Sequence, residues 1–325
     1  MGQRRRWLAL AVLALAALAV AGCGGGSSGS TRPATLLLDF TPNAIHAGIY
    51  SALDLHYDRD AGVRLTVRQP SASADAVKLL VAGRTDLAVL DIHDLGLARE
   101  KGADLVAVLA LVQRPLAAVL AQPAVRTPGG LQGRRVGVTG VPSDDAVLRS
   151  IVAGAGGDPR RVRTVTIGFN AVPALLARRV AGATAFWNAE GVALRRRRPG
   201  IREFRVDAYG APSYPELVVC VTRHTLRTRR GLVADVLRAL RRGYAWASAH
   251  PAGAVDALIS AAPGLDRSLT AAQLAAVRPA FTHPGGRFGV LSPARLRAWA
   301  AWDVRFGILP RPPNLSRAFD FALSR

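Results

Sequence analysis

The stretch Leu36–Tyr50, LLLDFTPNAIHAGIY, restricts what this 325-residue chain can fold into more than any other segment. Leu36 to Leu38 form the branched apolar run that a strand buried on both faces requires. Asp39, Thr41, Pro42 and Asn43 break that run with turn chemistry, and Ala44 to Leu55 has the composition and spacing of a helix. A strand therefore ends where polar groups gather. In an open parallel sheet such a corner lies at the carboxyl edge of the strands, where ligands bind. Read by itself, Asn43 is equally a helix cap.

The pattern then alternates. Val63 to Val67 reads as a strand, and Ser71-Ala72-Ser73 leads into an amphipathic helix from about Ala74 to Val81, closed by Gly83. Asp86 to Leu90 is a short strand, followed by Asp91-Ile92-His93-Asp94 and a helix to about Glu100. Leu105 to Val112 and Leu116 to Ala121 are strands flanking Pro115. This βαβαβα series is the signature of a parallel sheet covered by helices. A second series restarts near Pro128: strand Arg135 to Val138, turn Gly140 to Asp145, helix Ala146 to Ala155, strand Val162 to Ile167, helix Val172 to Arg179 and strand Ala183 to Phe186. Ile201 to Val206 leads through the breaker-rich Tyr209 to Pro212 to the strand Leu217 to Thr222. From Arg229 the chain is mostly helical, over Gly231 to His250, Ala252 to Ala262, Thr270 to Ala280 and Pro293 to Trp302.

The N-terminus carries a different signal. Arg4 to Arg6 precede an apolar run from Trp7 to Ala21, shorter than the roughly 20 residues a membrane span needs. Val20-Ala21-Gly22-Cys23 then matches a lipoprotein cleavage box, which predicts a signal peptide over 1–22 and a lipidated Cys23. Acyl chains contribute about 0.8 kcal/mol per buried CH2, so such an anchor on the extracytoplasmic face of the cell membrane is effectively permanent. Residues 23–33 read as the lipidated cysteine and a flexible tether. The other cysteine, Cys220, sits in an apolar run and reads as core. A net charge of +21 ordinarily raises nucleic acid as a partner. Here the cations are almost all arginine, with only Lys78 and Lys101 as lysines, and Arg195 to Arg198 is not interleaved with aromatic residues. That is compositional bias and a solvated face, and no nucleic acid is expected.

The segment DFTPNAIHAGIY resembles the opening motif of solute-binding proteins related to thiamine-precursor synthases, the NMT1/THI5-like family. Supporting segments follow in order: Pro70 to Asp75, Leu111 to Leu116, Gly137 to Asp145, Gly168 to Leu176, Trp187 to Gly191 and Tyr214 to Leu217. Together with the two series, the resemblance implies a two-lobed α/β fold of the type II periplasmic-binding-protein class. It has two crossover strands, near Leu116 to Ala121 and Pro212 to Leu217, and a helical C-terminal part. Lobe 1 takes 34–118 and 214–325, lobe 2 takes 119–213, and the pair closes on a ligand by a hinge. The implied function is an extracytoplasmic solute-binding lipoprotein of an ABC importer, with the permease as partner and neither catalysis, cofactor nor metal.

The resemblance implies a flat heteroaromatic ligand, a thiamine pyrimidine precursor first and riboflavin as the alternative. Trp187, Asn188 and Glu190 are expected at a strand's carboxyl end, facing the cleft with Asn43 and His46. The indole covers the ring, the amide donates and accepts, and the carboxylate takes an exocyclic amine. Tyr50 or Tyr214 supplies the opposite face, and Asp91, His93, Ser143, Asp144 and Glu216 complete the expected lining. Plainer readings stand beside these: Trp187 as filler, His46 as a histidine bonded to the Asp39 or Asp91 loop, Glu190 as a first-turn carboxylate, Ser143 as a cap or an anion site, and Asp91, His93 and Asp94 as a hydrogen-bond network. Two other functions compete. A pyrimidine synthase of this fold needs a cysteine-rich segment and an active-site lysine for pyridoxal phosphate, and this chain has no such cysteine run. A sulfonate or nitrate receptor calls for cleft arginines.

Overall fold

Leu36, Leu37 and Leu38 are all buried to 1% exposure or less, so the strand that carries them must be covered on both faces. The pleat divides them. Leu36 and Leu38 enter one core cluster and Leu37 another, each side chain stabilising the fold by roughly 1.5–3 kcal/mol relative to exposure. The protein is described by a computed structural model covering residues 31–71, 75–283 and 286–325. The expected signal peptide, lipidated Cys23 and the tether up to Ser30 lie outside the described residues, as do Ala72 to Ala74.

Ten strands form two five-stranded sheets of matching design. The first contains β1 (Arg32–Leu37), β2 (Val63–Arg68), β3 (Leu87–Asp91), β4 (Leu105–Ala110) and β10 (Leu217–Thr222), in the order β2-β1-β3-β10-β4. The second contains β5 (Ala117–Ala121), β6 (Arg135–Val138), β7 (Arg163–Thr166), β8 (Gly182–Phe186) and β9 (Arg202–Arg205), in the order β7-β6-β8-β5-β9. The restart near Pro128 is thus a second copy of one arrangement. Each sheet is mixed, where the alternating pattern predicts a parallel one. β10 runs antiparallel to β3 and β4, and β5 runs antiparallel to β8 and β9. These two strands enter each sheet directly from the other half of the chain, without the helical crossover that a parallel neighbour requires.

The passages between sheets are Leu111 to Leu116 and Gly210 to Glu216. The first crossing ends where it was expected to begin, because Ala117 to Ala121 pair fully within the second sheet. β1 also starts early. Arg32 and Pro33, read from sequence as tether, pair with Val63 and Arg64.

Helices cover the sheets: α1 (Ala47–Asp54), α2 (Asp75–Val81), α3 (Ile92–Glu100), α4 (Pro142–Gly154), α5 (Ala171–Leu176), α6 (Glu190–Arg197), and then α7 (Arg230–Ala249), α8 (Pro251–Ala261), α9 (Arg267–Val277) and α10 (Pro293–Arg305). Among the described residues no helix is long and apolar enough to cross a membrane. The opening corner is fastened by α7. A Cβ on Gly48 would lie 2.3 Å from the Tyr244 ring, and one on Gly243 would lie 2.1 Å from the Gly48 carbonyl oxygen. The Tyr244 hydroxyl meanwhile donates to the Ile45 carbonyl at 2.8 Å. Glycine at these two places is what lets α1 and α7 touch.

Candidate functional site

The carboxyl ends of β1, β3, β6, β7 and β8 open onto one cavity between the two sheets, as an α/β crevice should. It measures about 120 Å3, and its walls carry six carboxyl side chains: Asp39, Asp91, Asp94, Asp144, Glu190 and Glu216. Among the described lining residues there is no lysine, arginine or histidine. Phe40, from the opening corner, and Phe169, from the corner after β7, both line it and meet edge to face with centroids 4.3 Å apart. Further contacts join the walls: the Ser143 hydroxyl to Asp94 at 3.4 Å, and the Gln273 amide donating to the Ala189 carbonyl at 3.0 Å.

Of the residues expected from sequence, Asn43, Asp91, Ser143, Asp144, Glu190 and Glu216 line the cavity. His46, Tyr50, His93, Trp187, Asn188 and Tyr214 do not. Asn43 is a cap that also shows a face to the cavity. Its side-chain oxygen accepts from the Ile45 N–H at 2.9 Å, and its amide donates to the Thr41 carbonyl at 3.0 Å. His46 completes a capping box, with Nδ1 accepting from the Asn43 N–H at 3.2 Å and Nε2 meeting Asp39 at 2.9 Å. Fully buried and bonded on both nitrogens, it fixes the corner from behind. Tyr50 is packed into the first core.

Trp187 is the main correction. Thr184, Ala185 and Phe186 at the end of β8 line the cavity, whereas Trp187, in the turn that follows the strand, is packed into the core. Its indole N–H donates to the Pro115 carbonyl at 3.0 Å, and the Arg205 guanidinium lies 4.1 Å from its ring centroid. The indole thus fastens the first crossing and is not part of the cavity lining. Asn188 is fully buried, and neither atom of its amide has a hydrogen-bond partner.

His93 and Tyr214 stand one layer behind the wall. His93 Nδ1 is 2.9 Å from an Asp303 carboxylate oxygen, and Nε2 is 3.1 Å from the Tyr214 hydroxyl. Burial by itself lowers the imidazole pKa, but the Asp303 and Asp91 carboxylates overcome it and raise it to about 10, and the Trp299 indole N–H also approaches Nδ1 at 3.1 Å. Asp303 lies on α10, and sequence reading had no signal for it. Asp91 caps α3 by accepting from the His93 N–H at 2.8 Å. One atom each from Asp91, His93 and Glu216 come within 4.8 Å of one another, the reach of a metal site. With both His93 nitrogens engaged, the arrangement is a hydrogen-bond network.

The wall carboxyls are held out of water. Burial raises the pKa of Asp94 to about 8, helped by Asp91, and burial also raises Asp91, Asp144, Glu190 and Glu216. Asp144 is tied down by donors, the Thr139 N–H at 2.5 Å and the Thr184 hydroxyl at 2.9 Å. Glu190, at the start of α6, accepts from the Phe186 N–H at 3.1 Å. Such a surface offers acceptors and proton sharing to a donor-rich guest, and nothing to an anion. Phe40 and Phe169 were the aromatic residues to find. Each sits directly after a strand, in a turn at the carboxyl edge, which is the signal the sequence reading passed over in favour of tryptophan.

Comparison with known proteins agrees with this geometry. Residues 43–254 match the family described as NMT1/THI5 like. The chain is 30% identical over 228 residues to the formylaminopyrimidine-binding protein of Halalkalibacterium halodurans, covering 69% of each. It is 25% identical over 236 residues to the 4-amino-5-hydroxymethyl-2-methylpyrimidine phosphate synthase of Legionella pneumophila, covering 71% of this chain and 74% of that one. The alkanesulfonate-binding protein of Xanthomonas axonopodis pv. citri, solved with MOPS, superposes with a TM-score of 0.69 at 18% identity, over 90% of this chain and 98% of that one. The two-sheet α/β fold is that of periplasmic binding proteins, and the chain belongs to the NMT1/THI5-like family.

Proposed function

We propose that this protein is the solute-binding component of an ABC importer, held to the outer face of the membrane by Cys23, and that its solute is a thiamine pyrimidine precursor. The observation that carries the reading is the cavity wall, with six carboxyl side chains, three phenylalanines (Phe40, Phe169 and Phe186) and, among the described residues, no basic side chain. An aminopyrimidine is flat and presents an exocyclic amine and ring nitrogens, which suit Glu190 and the acids around it, while its faces suit Phe40 and Phe169. The volume also favours one ring. About 120 Å3 is comparable with the ~150 Å3 cavity that accepts a benzene molecule, whereas the three fused rings of riboflavin demand a larger opening.

Capture fits better than catalysis. Lys78 and Lys101 are the chain's two lysines, both are exposed, and neither lines the cavity, so the wall offers no amine for a pyridoxal Schiff base. The anion reading fails for the same reason of charge. Calorimetry of the mature protein with hydroxymethylpyrimidine, its formylamino derivative and riboflavin tests the proposal. Micromolar or tighter binding of a pyrimidine with none of riboflavin is expected; riboflavin binding without pyrimidine binding overturns it. Mass spectrometry of small molecules released from natively purified protein is the independent check.

A further inference from the structure

Glu216 is the last residue before β10, and Asp91 ends β3; the two strands are adjacent, with Leu217 paired to Asp91. Both carboxyls therefore belong to the first sheet, whereas Glu190 and Asp144 reach the cavity from the second. Glu216 is fully buried and lines the cavity. One of its oxygens accepts from the Leu116 N–H at 2.7 Å, the other has no partner by hydrogen-bond geometry, and the Asp91 carboxyl is close enough to interact with the group. A buried carboxylate oxygen without a donor is costly. A proton can meet that cost, since burial, together with Glu216, raises Asp91 well above the usual carboxylate range and the two can share it. Electroneutrality at this end is then restored by whichever cation replaces that proton.

A metal ion needs His93 as its third ligand. That imidazole is locked, with Asp303 on one nitrogen and the Tyr214 hydroxyl on the other. What remains is a pair of carboxyls on the cavity wall, with oxygens within 4.8 Å of each other and the His93 ring behind them. A primary ammonium fits it, being compact, positive and armed with three donors and no acceptor.

We infer that the Asp91–Glu216 pair is a second subsite, built for an ammonium group on a side arm of the ligand. The inference rests on the pyrimidine reading above: the ring lies toward Glu190 and the phenylalanines, and a short arm carries the cation toward Glu216. The preferred solute is then an aminopyrimidine with an aminoalkyl arm, and a neutral arm is the poorer guest.

The test uses two 4-aminopyrimidines that differ only at the 5-position, one aminomethyl and one hydroxymethyl, titrated into the mature protein by calorimetry. Charge-assisted hydrogen bonding predicts about tenfold tighter binding of the aminomethyl compound. In Glu216→Gln, and separately in Asp91→Asn, that preference should fall to within about threefold while each variant keeps a cooperative melt. Two variants are used so that a folding defect in one leaves the other as the test. Equal binding of both compounds by the wild type, or a preference that survives both substitutions, overturns the subsite and leaves the pyrimidine reading intact. Binding of neither compound overturns the pyrimidine reading itself. A preference that vanishes on chelation, with zinc titrating the wild type and not Glu216→Gln, assigns the pair to a metal and also overturns the inference.

Discussion

The cavity wall and the layer behind it share aromatic rings and carboxyls, yet these are arranged for opposite purposes. Behind the wall, His46 is bonded on both nitrogens, His93 is paired with Asp303 and Tyr214, and the Trp187 indole is spent on the Pro115 carbonyl. In the wall, one Glu216 oxygen has no partner by hydrogen-bond geometry, and Phe40 and Phe169 meet edge to face at the cavity lining. Residue type does not separate scaffold from site here. What separates them is whether the hydrogen-bonding capacity and ring faces are already used within the fold.

If that distinction holds, substitutions behind the wall cost stability and those in the wall cost affinity. His93→Ala leaves the Asp303 carboxylate buried and unpaired, which should cost about 3–5 kcal/mol in denaturant unfolding. The wild type should show the same dependence through pH. His93 has a folded pKa of about 10, above its ordinary value, so the pair's contribution is complete below about 6.5 and is lost as pH rises through 10. Urea midpoints at pH 6 and pH 10.5 measure it, and a loss that persists unchanged in His93→Ala would show that another group is responsible. Trp187→Ala should cost about 3–5 kcal/mol by cavity formation at the crossing, with ligand affinity little changed. A selective affinity loss would return the indole to the site.

Phe40→Ala and Phe169→Ala carry the reverse expectation. Each removes a ring face worth about 1–3 kcal/mol to a stacked heteroaromatic ligand, so affinity should fall roughly tenfold or more while the melting temperature moves little. Asp94→Asn is the mildest. Burial pushes this carboxyl up to about 8, so its ionisation is disfavoured in the fold and stability falls as pH rises from the ordinary carboxylate range through 8. The amide removes that penalty, and the variant should gain more in melting temperature at pH 8.5 than at pH 5.

The fold was legible where the signal was local. The buried run at Leu36 to Leu38, the capped corner at Asn43 and the repeat of the strand–helix series all follow from neighbouring residues, and the two sheets reproduce them. The mixed direction of the sheets was not legible, because β10 joins β3 across more than a hundred residues of chain. The site divides along the same line. Asp91 and Glu190 stand beside strand ends and were readable as wall residues. Asp303 meets His93 only through tertiary packing, |i−j| being 210, and no sequence pattern near either announces it. Trp187 was placed at the correct strand end but on the wrong face. Trp187 stands just past β8, where the turn into α6 sets its direction, and the packing that decides it, the bond to the Pro115 carbonyl, is remote in sequence.

The central claim, that the carboxyl-lined cavity beside Phe40 and Phe169 holds a pyrimidine, is tested most directly by a crystal structure of the mature protein with the aminopyrimidine bound. The account predicts the ring packed against those two phenylalanines within the cavity, its amino edge turned to Glu190 and its arm directed at Glu216. A ring stacked on Trp187, or a ligand seated outside this cavity, would contradict it.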